Sequence, residues 1–291
     1  MKRRPWQRRR DEWLLTLPSL GWLLLLFVIP TALVFAMAFR PVDPYGGIGA
    51  GWTLATLRSL GNPNYPAIVW RTLWISAATT VFCVLLAVPA GYGMGRAPAA
   101  WRSRLLLLVI VPFWTSFLIR VFAWKLLLHP EGPIKRLLLF LRLTEPGAPL
   151  LYCSAAVLLV QVYTFLPFAI LPLYAAAEKF DFSLLEAARD LGASRATAFR
   201  RVFLPGVRRG LLTAVLMVFI PSLGSYVIPD LVGGTTSEML GNKIAQRTFV
   251  DRNLPHASGL SALLTLAVLA PLAAMWLLQR QRAPWLAKEG E

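Results

Sequence analysis

Apolar residues dominate six segments of this 291-residue chain, and polar residues are concentrated between them. Each segment is long enough to cross the roughly 30 Å hydrocarbon core of a bilayer as a helix. The chain is 57% hydrophobic and only 15% charged, so lipid rather than water must surround most of its surface. The pattern therefore predicts an all-α polytopic membrane protein. Its six predicted transmembrane helices are Leu17–Phe39, Ile68–Met94, Leu105–Leu128, Leu150–Ala176, Leu211–Leu231 and Leu260–Leu278.

The positions of lysine and arginine predict the orientation of these helices. The formal net charge of +16 could indicate a nucleic-acid partner, but the basic residues lie mostly in connecting segments, where they set membrane orientation. Four alternate segments contain 19 of the 30 basic residues and three loops contain 8. The richer side is predicted to be cytoplasmic, which places both termini inside and leaves no role for nucleic acid. The predicted inside segments are 1–16, 95–104, 177–210 and 279–291, and the outside loops are 40–67, 129–149 and 232–259.

A polar, arginine-rich segment between the fourth and fifth spans has the pattern of two short helices joined by a glycine hinge. Ser183 and Glu186 have the spacing of a capping box, which predicts a helix start with Glu186 mainly holding its shape. Gly192 predicts the end of that helix. Ser194 is expected to cap a second helix, and Pro205 to end it. The segment is therefore predicted to be an exposed helical pair that a partner binds.

This segment resembles the EAA loop of ABC-importer permeases, whose matched positions here are Glu186-Ala187-Ala188, Gly192, Val202 and Leu204-Pro205. In that family the loop carries the coupling helix, which sits in a groove of a cytoplasmic ATPase subunit. The resemblance implies the type I ABC-importer permease fold, with a permease domain over 17–278, a coupling loop over 177–210, and cytoplasmic tails 1–16 and 279–291. The coupling residues it implies are Glu186, Ala187, Ala188, Asp190, Gly192, Ala193, Arg195, Phe199, Leu204 and Pro205.

Three further stretches are similar to the polyamine (spermidine/putrescine) branch of these permeases. They are PFWTSFLIR at 112–120, LPFAILPLYAAAEKFDFSLLEAARDLGAS at 166–194 and VIPDLVGG at 227–234. The resemblance implies a permease subunit in the bacterial inner membrane that imports polyamines. It also implies a cytoplasmic ATPase dimer holding ATP and Mg, a second, homologous permease subunit that forms a heterodimer with this chain, and an extracytoplasmic solute-binding protein. The chain departs from many relatives at Ser225, where they carry an acid.

Two alternatives remain open. The same class of importer could move another small solute, such as an organic phosphonate, a thiamine-like cation or a ferric complex, because fold does not determine substrate. A secondary carrier that needs no ATPase would also contain broken helices of the kind predicted below.

The sequence contains no pattern that predicts catalysis. It has no glycine-rich phosphate loop followed by Lys and Ser or Thr, so we do not expect this chain to hydrolyse ATP. His129 and His256 fall in separate outside loops and are interpreted as solvated or satisfied side chains. Cys83 and Cys153 are interpreted as small apolar residues. We therefore expect no catalytic residue, metal ion or cofactor on this chain.

Two of the apolar segments contain residues that interrupt helices. Pro167 and Pro172 predict a kink in the fourth span. In the fifth span, the sequence PSLGSYVIPDLVGG begins at Pro221 and predicts broken backbone around Gly224. Such backbone is tolerated at membrane depth only where it is shielded by protein or lines a wet cavity. The break predicts either a solute path or a helix that ends early into a loop.

A small set of residues near this break and in the third span are candidates for the solute path. Arg120 is expected about 24 Å along the third helix from Arg104, near the outer interface. There Arg120 and Lys125 are interpreted mainly as snorkelling anchors, with a solute contact as the alternative for Arg120. An acid that opens into an outward vestibule would attract a cation, and aromatic rings bind ammonium groups. The candidates are Trp114, Arg120, Ser225, Tyr226 and Asp230.

Overall fold

The computed structural model describes residues 16–145 and 147–281, and for residues 270–281 it describes the helical backbone alone. Within these ranges the regular structure is helical, apart from one isolated antiparallel bridge between Val42 and Ile48. The predicted tails 1–16 and 279–291 lie almost entirely outside the described residues.

Most of the helices follow one another closely, with longer connections at 38–54 and 141–153, and three of the described helices contain a π turn. In chain order they are α1 (Thr16–Met37), α2 (Ala55–Ser59), α3 (Asn64–Arg96), α4 (Ala99–Trp114), α5 (Phe117–Leu127), α6 (Pro133–Phe140), α7 (Ser154–Glu178), α8 (Ser183–Asp190), α9 (Arg195–Gly206), α10 (Arg208–Leu223), α11 (Val227–Val232), α12 (Leu240–Ala245, extended by a π turn to Val250) and α13 (Leu254–Gln281).

Each of the six predicted apolar segments coincides with a helix or with a broken pair of helices. Among the described residues, α1, α3 and α7 are long and apolar enough to cross a membrane, and there are up to five such elements if each bent pair counts as one span. The bent pairs are α4 with α5 and α9 with α10. The apolar window of α1 has no buried residues, whereas half of the window in α7 is buried. Helix α7 is therefore central in its unit, and α1 presents its surface to the surroundings.

The third apolar segment is not the single helix that we predicted over Leu105–Leu128. Helix α4 ends at Trp114, the backbone is extended at Thr115 and Ser116, and α5 leaves at an angle of 88°. Pro112 lies two residues before the end of α4, and its carbonyl oxygen accepts a hydrogen bond from Thr115 Oγ1 at 2.7 Å. The prediction is wrong because a proline and two hydroxyl residues break a stretch that is otherwise strongly apolar.

The predicted interruption of the fifth segment is confirmed. Helix α10 ends at Leu223, Gly224 is its C-cap, and the helix resumes only at Val227 as the short α11. Helix α11 packs against both α5 and α7. The short helices that follow the two breaks are therefore in contact with each other.

Helix α7 is one continuous helix through both Pro167 and Pro172. Glycines allow its neighbours to approach closely. A Cβ on Gly95 of α3 would lie 3.0 Å from the Cβ of Ala177, and a Cβ on Gly210 of α10 would lie 2.5 Å from the Cβ of Ala176. Small residues at contact points are the usual means by which helices associate in membranes.

The chain divides into two compact units, and the larger one is Pro66–Asn242. Its core consists of two hydrophobic clusters. The break-side cluster contains Ile75, Val121, Leu128, Leu151, Ala156, Val157, Val160, Ile228, Val232 and Met239. The loop-side cluster contains Cys83, Ala87, Met94, Phe165, Ala169, Ile170, Leu173, Tyr174, Ala177, Leu185, Ala198, Phe203, Val207, Ala214 and Val218.

The second unit comprises Met1–Tyr65 and Lys243–Glu291, and in it α13 packs on α1 and α2. This unit contains a buried histidine, His256, which is satisfied on both ring nitrogens. Nε2 lies 2.6 Å from the hydroxyl of Tyr65, and Nδ1 lies 3.1 Å from Oγ of Ser59. The interpretation of His256 as a satisfied side chain is thus confirmed.

Candidate functional site

The coupling loop has the predicted helix, glycine hinge and second helix. Helix α8 ends at Asp190, and Gly192 adopts φ +87°, a conformation that disfavours residues with a side chain. Gly192 N donates to Arg189 O at 2.9 Å and Ala193 N donates to Ala188 O at 3.0 Å, the pair of hydrogen bonds of a Schellman motif. The predicted stop at Gly192 is confirmed.

The predicted capping box of Ser183 and Glu186 is wrong. Ser183 is the first residue of α8, and its N–H donates to Oδ1 of Asp181 at 3.0 Å. Hydrogen bonds from Ser183 also hold the pKa of Asp181 below its ordinary value. Glu186 is exposed and makes no hydrogen bond or ion pair within the part of the chain that the structure describes. Its carboxylate does not hold the shape of α8 and is free to meet a partner.

The second helix starts as predicted but continues past its predicted end. Ser194 Oγ accepts a hydrogen bond from Thr197 N at 3.2 Å, which confirms the cap. A π turn over Phe199–Phe203 follows, and α9 runs through Pro205 to Gly206. Leu204 N donates to the carbonyl of Phe199, five residues back, and this wider turn accommodates a proline, which has no N–H to donate.

Five aromatic rings attach the coupling loop to the end of α3. Tyr92 meets the rings of Phe199 and Phe203 edge to face, with centroids 5.2 and 4.9 Å apart. Phe180 contacts Phe182 and Phe203, both at 5.3 Å. Such pairs each stabilise a fold by about 0.5–1.5 kcal/mol beyond the burial of their area. Of this aromatic cluster, sequence reasoning identified only Phe199, as a coupling residue.

A groove of about 610 Å³ lies beside the aromatic cluster, between α8 and α9. Three arginines and one acid line it, Arg96, Arg189, Arg195 and Glu186. The guanidinium of Arg96 donates to the Tyr92 hydroxyl at 2.9 Å and lies 5.7 Å from its ring centroid. The groove is thus open, charged and positioned on the two helices that the sequence predicted as a contact surface.

The ten predicted coupling residues divide by exposure into outward and inward positions. The inward positions hold the loop on the core, and the outward ones are available to a partner. The exposed residues are Glu186, Ala187, Asp190, Gly192, Arg195 and Pro205, and the half-buried residues are Ala188, Ala193, Phe199 and Leu204.

The candidates for the solute path lie on the two broken segments. Trp114 is the last residue of α4 and is 77% exposed. Ser225 is half-buried and Tyr226 is exposed, and both lie in the gap between α10 and α11. Asp230 is exposed in the first turn of α11. The packing of α5 on α11 brings the elements that follow the two breaks together.

Arg120 does not have the snorkelling position that we expected. The helix breaks at Thr115, so the distance from Arg104 along one straight helix does not apply. The side chain is only 9% exposed, its Nε atom is buried without a hydrogen-bond partner, and Cζ lies 5.0 Å from the ring centroid of Phe113. Its charge is therefore held against an aromatic face inside the unit.

Within the described residues, no group of three His, Cys, Asp or Glu side chains is placed to hold a metal ion. Cys83 is buried, Cys153 is half-buried, and both are free thiols. His129 is exposed, and its Nδ1 accepts a hydrogen bond from the backbone N–H of Glu131 at 3.3 Å.

The sequence matches the family of inner membrane components of binding-protein-dependent transport systems over residues 12–287. The chain therefore belongs to this family and is an inner-membrane permease component of an ABC importer, in which ATP is hydrolysed by a separate subunit. The resemblance seen in the EAA-like loop is confirmed.

Several curated relatives are similar over most of their length. The chain is 36% identical to the spermidine/putrescine transport system permease protein PotB of Haemophilus influenzae, over 90% of this chain and 93% of that protein. It is 32% identical to PotB of Escherichia coli, over 88% and 93%. It is 34% identical to the inner membrane ABC transporter permease protein YdcU of Escherichia coli, over 71% and 69%.

The fold is shared with a solved transporter structure. A chain of a bacterial ABC transporter involved in the import of the acidic polysaccharide alginate superposes with a TM-score of 0.69, covering 96% of this chain and 98% of that chain at 18% sequence identity. The same transporter in complex with an alginate pentasaccharide-bound periplasmic protein superposes with a TM-score of 0.68. At this identity the likeness concerns the fold alone.

Proposed function

We propose that this chain is the permease subunit through which an ABC importer moves spermidine and putrescine into the cytoplasm. The observation that carries the proposal is the 36% identity to a spermidine/putrescine permease across 90% of the chain. Likeness to the alginate transporter does not bear on the solute, because only the fold is shared at 18% identity.

The proposed assembly contains six spans of this chain, with both termini in the cytoplasm. A second, different permease subunit completes the membrane part, a cytoplasmic ATPase dimer binds ATP and Mg, and an extracytoplasmic protein delivers the solute. The excess of basic residues in 95–104 and 177–210 supports this orientation. The permease domain then covers residues 17–278.

In this assembly the surface formed by α8 and α9 contacts the ATPase. Support comes from the exposed and unpaired Glu186, the exposed Arg195 and the open groove between them. The aromatic cluster joins this surface to α3, and α7 leads directly into α8, so movement of the ATPases would reach the membrane helices. ATP binding would then switch the path between inward-facing and outward-facing states.

The solute would pass the two breaks. Asp230 supplies an acid for an ammonium group, and the exposed rings of Trp114 and Tyr226 supply aromatic faces. Arg120 is buried against Phe113, so its guanidinium is not among the exposed groups that a solute would contact. At the position of Ser225 many relatives carry an acid, and this chain contributes a hydroxyl there instead.

The decisive experiment measures ATP hydrolysis by the complete complex in proteoliposomes. Its binding protein is added empty or loaded with spermidine, putrescine, an organic phosphonate, thiamine or a ferric complex. We expect stimulation by the two polyamines alone. Stimulation by another ligand and not by polyamines would contradict the substrate and leave the importer intact. Uptake without any ATPase partner would instead indicate a secondary carrier.

Sidedness is tested by single cysteines in a variant lacking Cys83 and Cys153. Arg195→Cys is exposed in the proposed cytoplasmic loop, and Tyr45→Cys, at a position 97% exposed in the loop 40–67, is the matched control for the opposite side. A membrane-impermeant thiol reagent added to intact spheroplasts should label Tyr45→Cys only. Labelling of Arg195→Cys from outside would contradict the proposed orientation.

A further inference from the structure

Gln161 is the most completely buried polar side chain of α7, and it joins four segments of the larger unit. Its Oε1 accepts hydrogen bonds from Thr79 Oγ1 of α3 and from Ser222 Oγ of α10, both at 2.8 Å. Its Nε2 donates to Met239 Sδ at 3.5 Å. Burial of an amide is unfavourable unless it is hydrogen-bonded, so these contacts fix where the side chain can lie. The four residues are called the Gln161 node.

The three polar residues of the Gln161 node lie between the two hydrophobic clusters, and its fourth residue, Met239, belongs to the break-side cluster. On α3, Ile75 belongs to the break-side cluster and Cys83 to the loop-side cluster, with Thr79 midway between them. On α7, Val160 and Phe165 are divided in the same way on either side of Gln161. Thr79, Gln161 and Ser222 therefore form a polar layer at which one hydrophobic cluster ends and the other begins.

Both ends of the broken part of the fifth segment meet at this layer. The chain leaves the node at Ser222, passes through the interruption at Gly224, α11 and a 3₁₀ turn at Thr235–Ser237, and returns at Met239. We call residues 223–238 the re-entrant segment. It carries Ser225, Tyr226 and Asp230, the candidates for the solute path. The side-chain amide of Gln161 thus contacts the residues that flank the re-entrant segment at both ends.

The returning end of the re-entrant segment is tied a second time. Asn242 Nδ2 donates to the carbonyl of Tyr226 at 3.0 Å, and its Oδ1 accepts from Met239 N at 3.2 Å. Leu240 N donates to Thr72 Oγ1 of α3 at 2.9 Å. These bonds fix the end at Met239 to α3 and to the interruption. The hydrogen bonds of Gln161 add a polar link from that end to α7 and α10, beside the apolar packing of α11 on α7.

The hydrogen bonds of the node are of a kind that can be exchanged. A serine or threonine hydroxyl in a helix can bond to the carbonyl four residues back. Thr72 and Thr80 of the same helix α3 do this, to Ile68 O and Ser76 O, both at 2.7 Å. Thr79 and Ser222 therefore have an alternative acceptor in their own helices. Gln161 has none, and water must reach its amide once they turn away.

We propose that Gln161 is a positioning residue for transport, which holds both ends of the re-entrant segment while the path is closed and releases them when the path opens and takes up water. Helix α7 runs without interruption from Gln161 to Glu178, five residues before α8 begins. Gln161 thus lies on the helix that leads into α8, which is part of the surface proposed to contact the ATPase. This inference rests on the proposed function of that surface.

The test compares Gln161→Leu with Thr80→Val in the complete complex. Thr80 is a matched control, because it is buried on α3 and its hydroxyl bonds only within its own helix. The first readout is the labelling rate of Ser225→Cys, in a background without Cys83 and Cys153. The second is the amount of solute moved per ATP. A merely structural loosening that leaves the complex assembled could raise the labelling rate, but it would not change the solute moved per ATP.

We expect Gln161→Leu to raise the labelling rate about five-fold, the shift that corresponds to one interhelical hydrogen-bonding group. The solute moved per ATP should fall by a similar factor, while Thr80→Val matches the wild type. If Gln161→Leu does not assemble, the double variant Thr79→Val and Ser222→Ala, which keeps the glutamine and removes its donors, should give the same two changes.

Wild-type labelling and coupling in either variant would overturn the inference, and so would equal changes in Thr80→Val. The labelling reaction needs no ATP. A wild-type complex whose ATPase is not stimulated by the binding protein would therefore contradict only the proposed function. The labelling rates would still show whether Gln161 holds the re-entrant segment.

Discussion

Arg102 and Glu178 join the first turn of α4 to the last turn of α7, with Nη1 lying 3.7 Å from Oε1. The same guanidinium donates from Nε to the carbonyl of Ala97 at 2.7 Å and from Nη2 to the carbonyl of Gly95 at 2.9 Å. One side chain therefore ties together the ends of three helices immediately before the coupling loop.

Replacement of the two partners should have unequal effects on stability. The side chains of the pair are 32% and 46% exposed, and exposed ion pairs contribute only about 0–1 kcal/mol. Glu178→Gln should therefore lower the free energy of unfolding by less than about 1 kcal/mol. Arg102→Leu also removes two hydrogen bonds from a charged donor and should cost about 1–3 kcal/mol. Unfolding of both variants in detergent measures the difference, and equal losses would contradict it.

A larger side chain should destabilise the chain at Gly95 and have little effect at Gly93. A Cβ on Gly95 meets Ala177 at 3.0 Å, whereas nothing lies within 4 Å of a Cβ on Gly93. Gly95→Leu should destabilise the chain by about 1–3 kcal/mol, the usual cost of overpacking. Gly93→Leu, two residues away on the exposed side of α3, is the control and should have little effect on the same unfolding curve. A stable Gly95→Leu variant would mean that α3 and α7 can separate freely.

Gly192 should tolerate asparagine and reject valine. Its φ of +87° costs a residue with a side chain about 1–3 kcal/mol, and asparagine adopts this region more readily than a β-branched residue. Gly192→Val should insert in the membrane but lose most solute uptake and most stimulation of the ATPase. Gly192→Asn should retain both. Uptake by proteoliposomes decides, and full uptake by Gly192→Val would argue strongly against a coupling role.

Glu186→Lys should abolish coupling with little loss of stability. Glu186 makes no hydrogen bond or ion pair within the described residues and acts on stability only as an exposed acid in the first turn of α8, so the change should lower the free energy of unfolding by less than about 1 kcal/mol. The groove already contains three arginines, so a further cation should repel a partner that fits the wild-type charges. ATPase stimulation and unfolding are measured on the same preparation, with Glu186→Gln as the uncharged control. If Glu186→Lys lost coupling only together with a large drop in the free energy of unfolding, Glu186 would have a structural role instead.

The pH dependence of stability should report on His256, which precedes the sixth apolar segment. Burial, together with the charges of Arg247 and Lys243, holds the pKa of His256 below its ordinary value of 6.5. Between the folded pKa and 6.5 the unfolded chain binds more protons, so stability should fall as the pH drops below 6.5 and should not change above it. Thermal unfolding from pH 7.5 to 5 measures this slope. His256→Gln should flatten it, and a rise in stability on acidification would contradict the assignment.

Features set by local chemistry could be predicted from the sequence. The stop at Gly192 and the cap at Ser194 depend on residues within a few positions, and both were predicted. The start of α8 does not follow the capping-box pattern, because the N–H of Ser183 donates to the side chain of Asp181, which that pattern does not include. The interruption at Gly224 was visible because glycine and proline are dense around it.

Features that depend on distant partners could not be predicted in this way. Tyr92 meets Phe203, and Gln161 meets Thr79 and Met239, across stretches of chain with no shared pattern. The break at Thr115 was hidden for a related reason, since its flanks are as apolar as a continuous span. The burial of Arg120 followed from that break and was missed with it.

The absence of burial along the apolar window of α1 separates it from α7, where half of the equivalent window is buried. Lipid hydrocarbon tails accommodate apolar side chains of different shapes about equally well. Exchange of the exposed leucines of α1 for Ile, Val, Phe or Met should therefore cost little, whereas the buried residues of α7 should tolerate fewer exchanges. These two strongly apolar helices should therefore differ in how many substitutions they tolerate, because little of α1 and half of the apolar window of α7 is covered by protein.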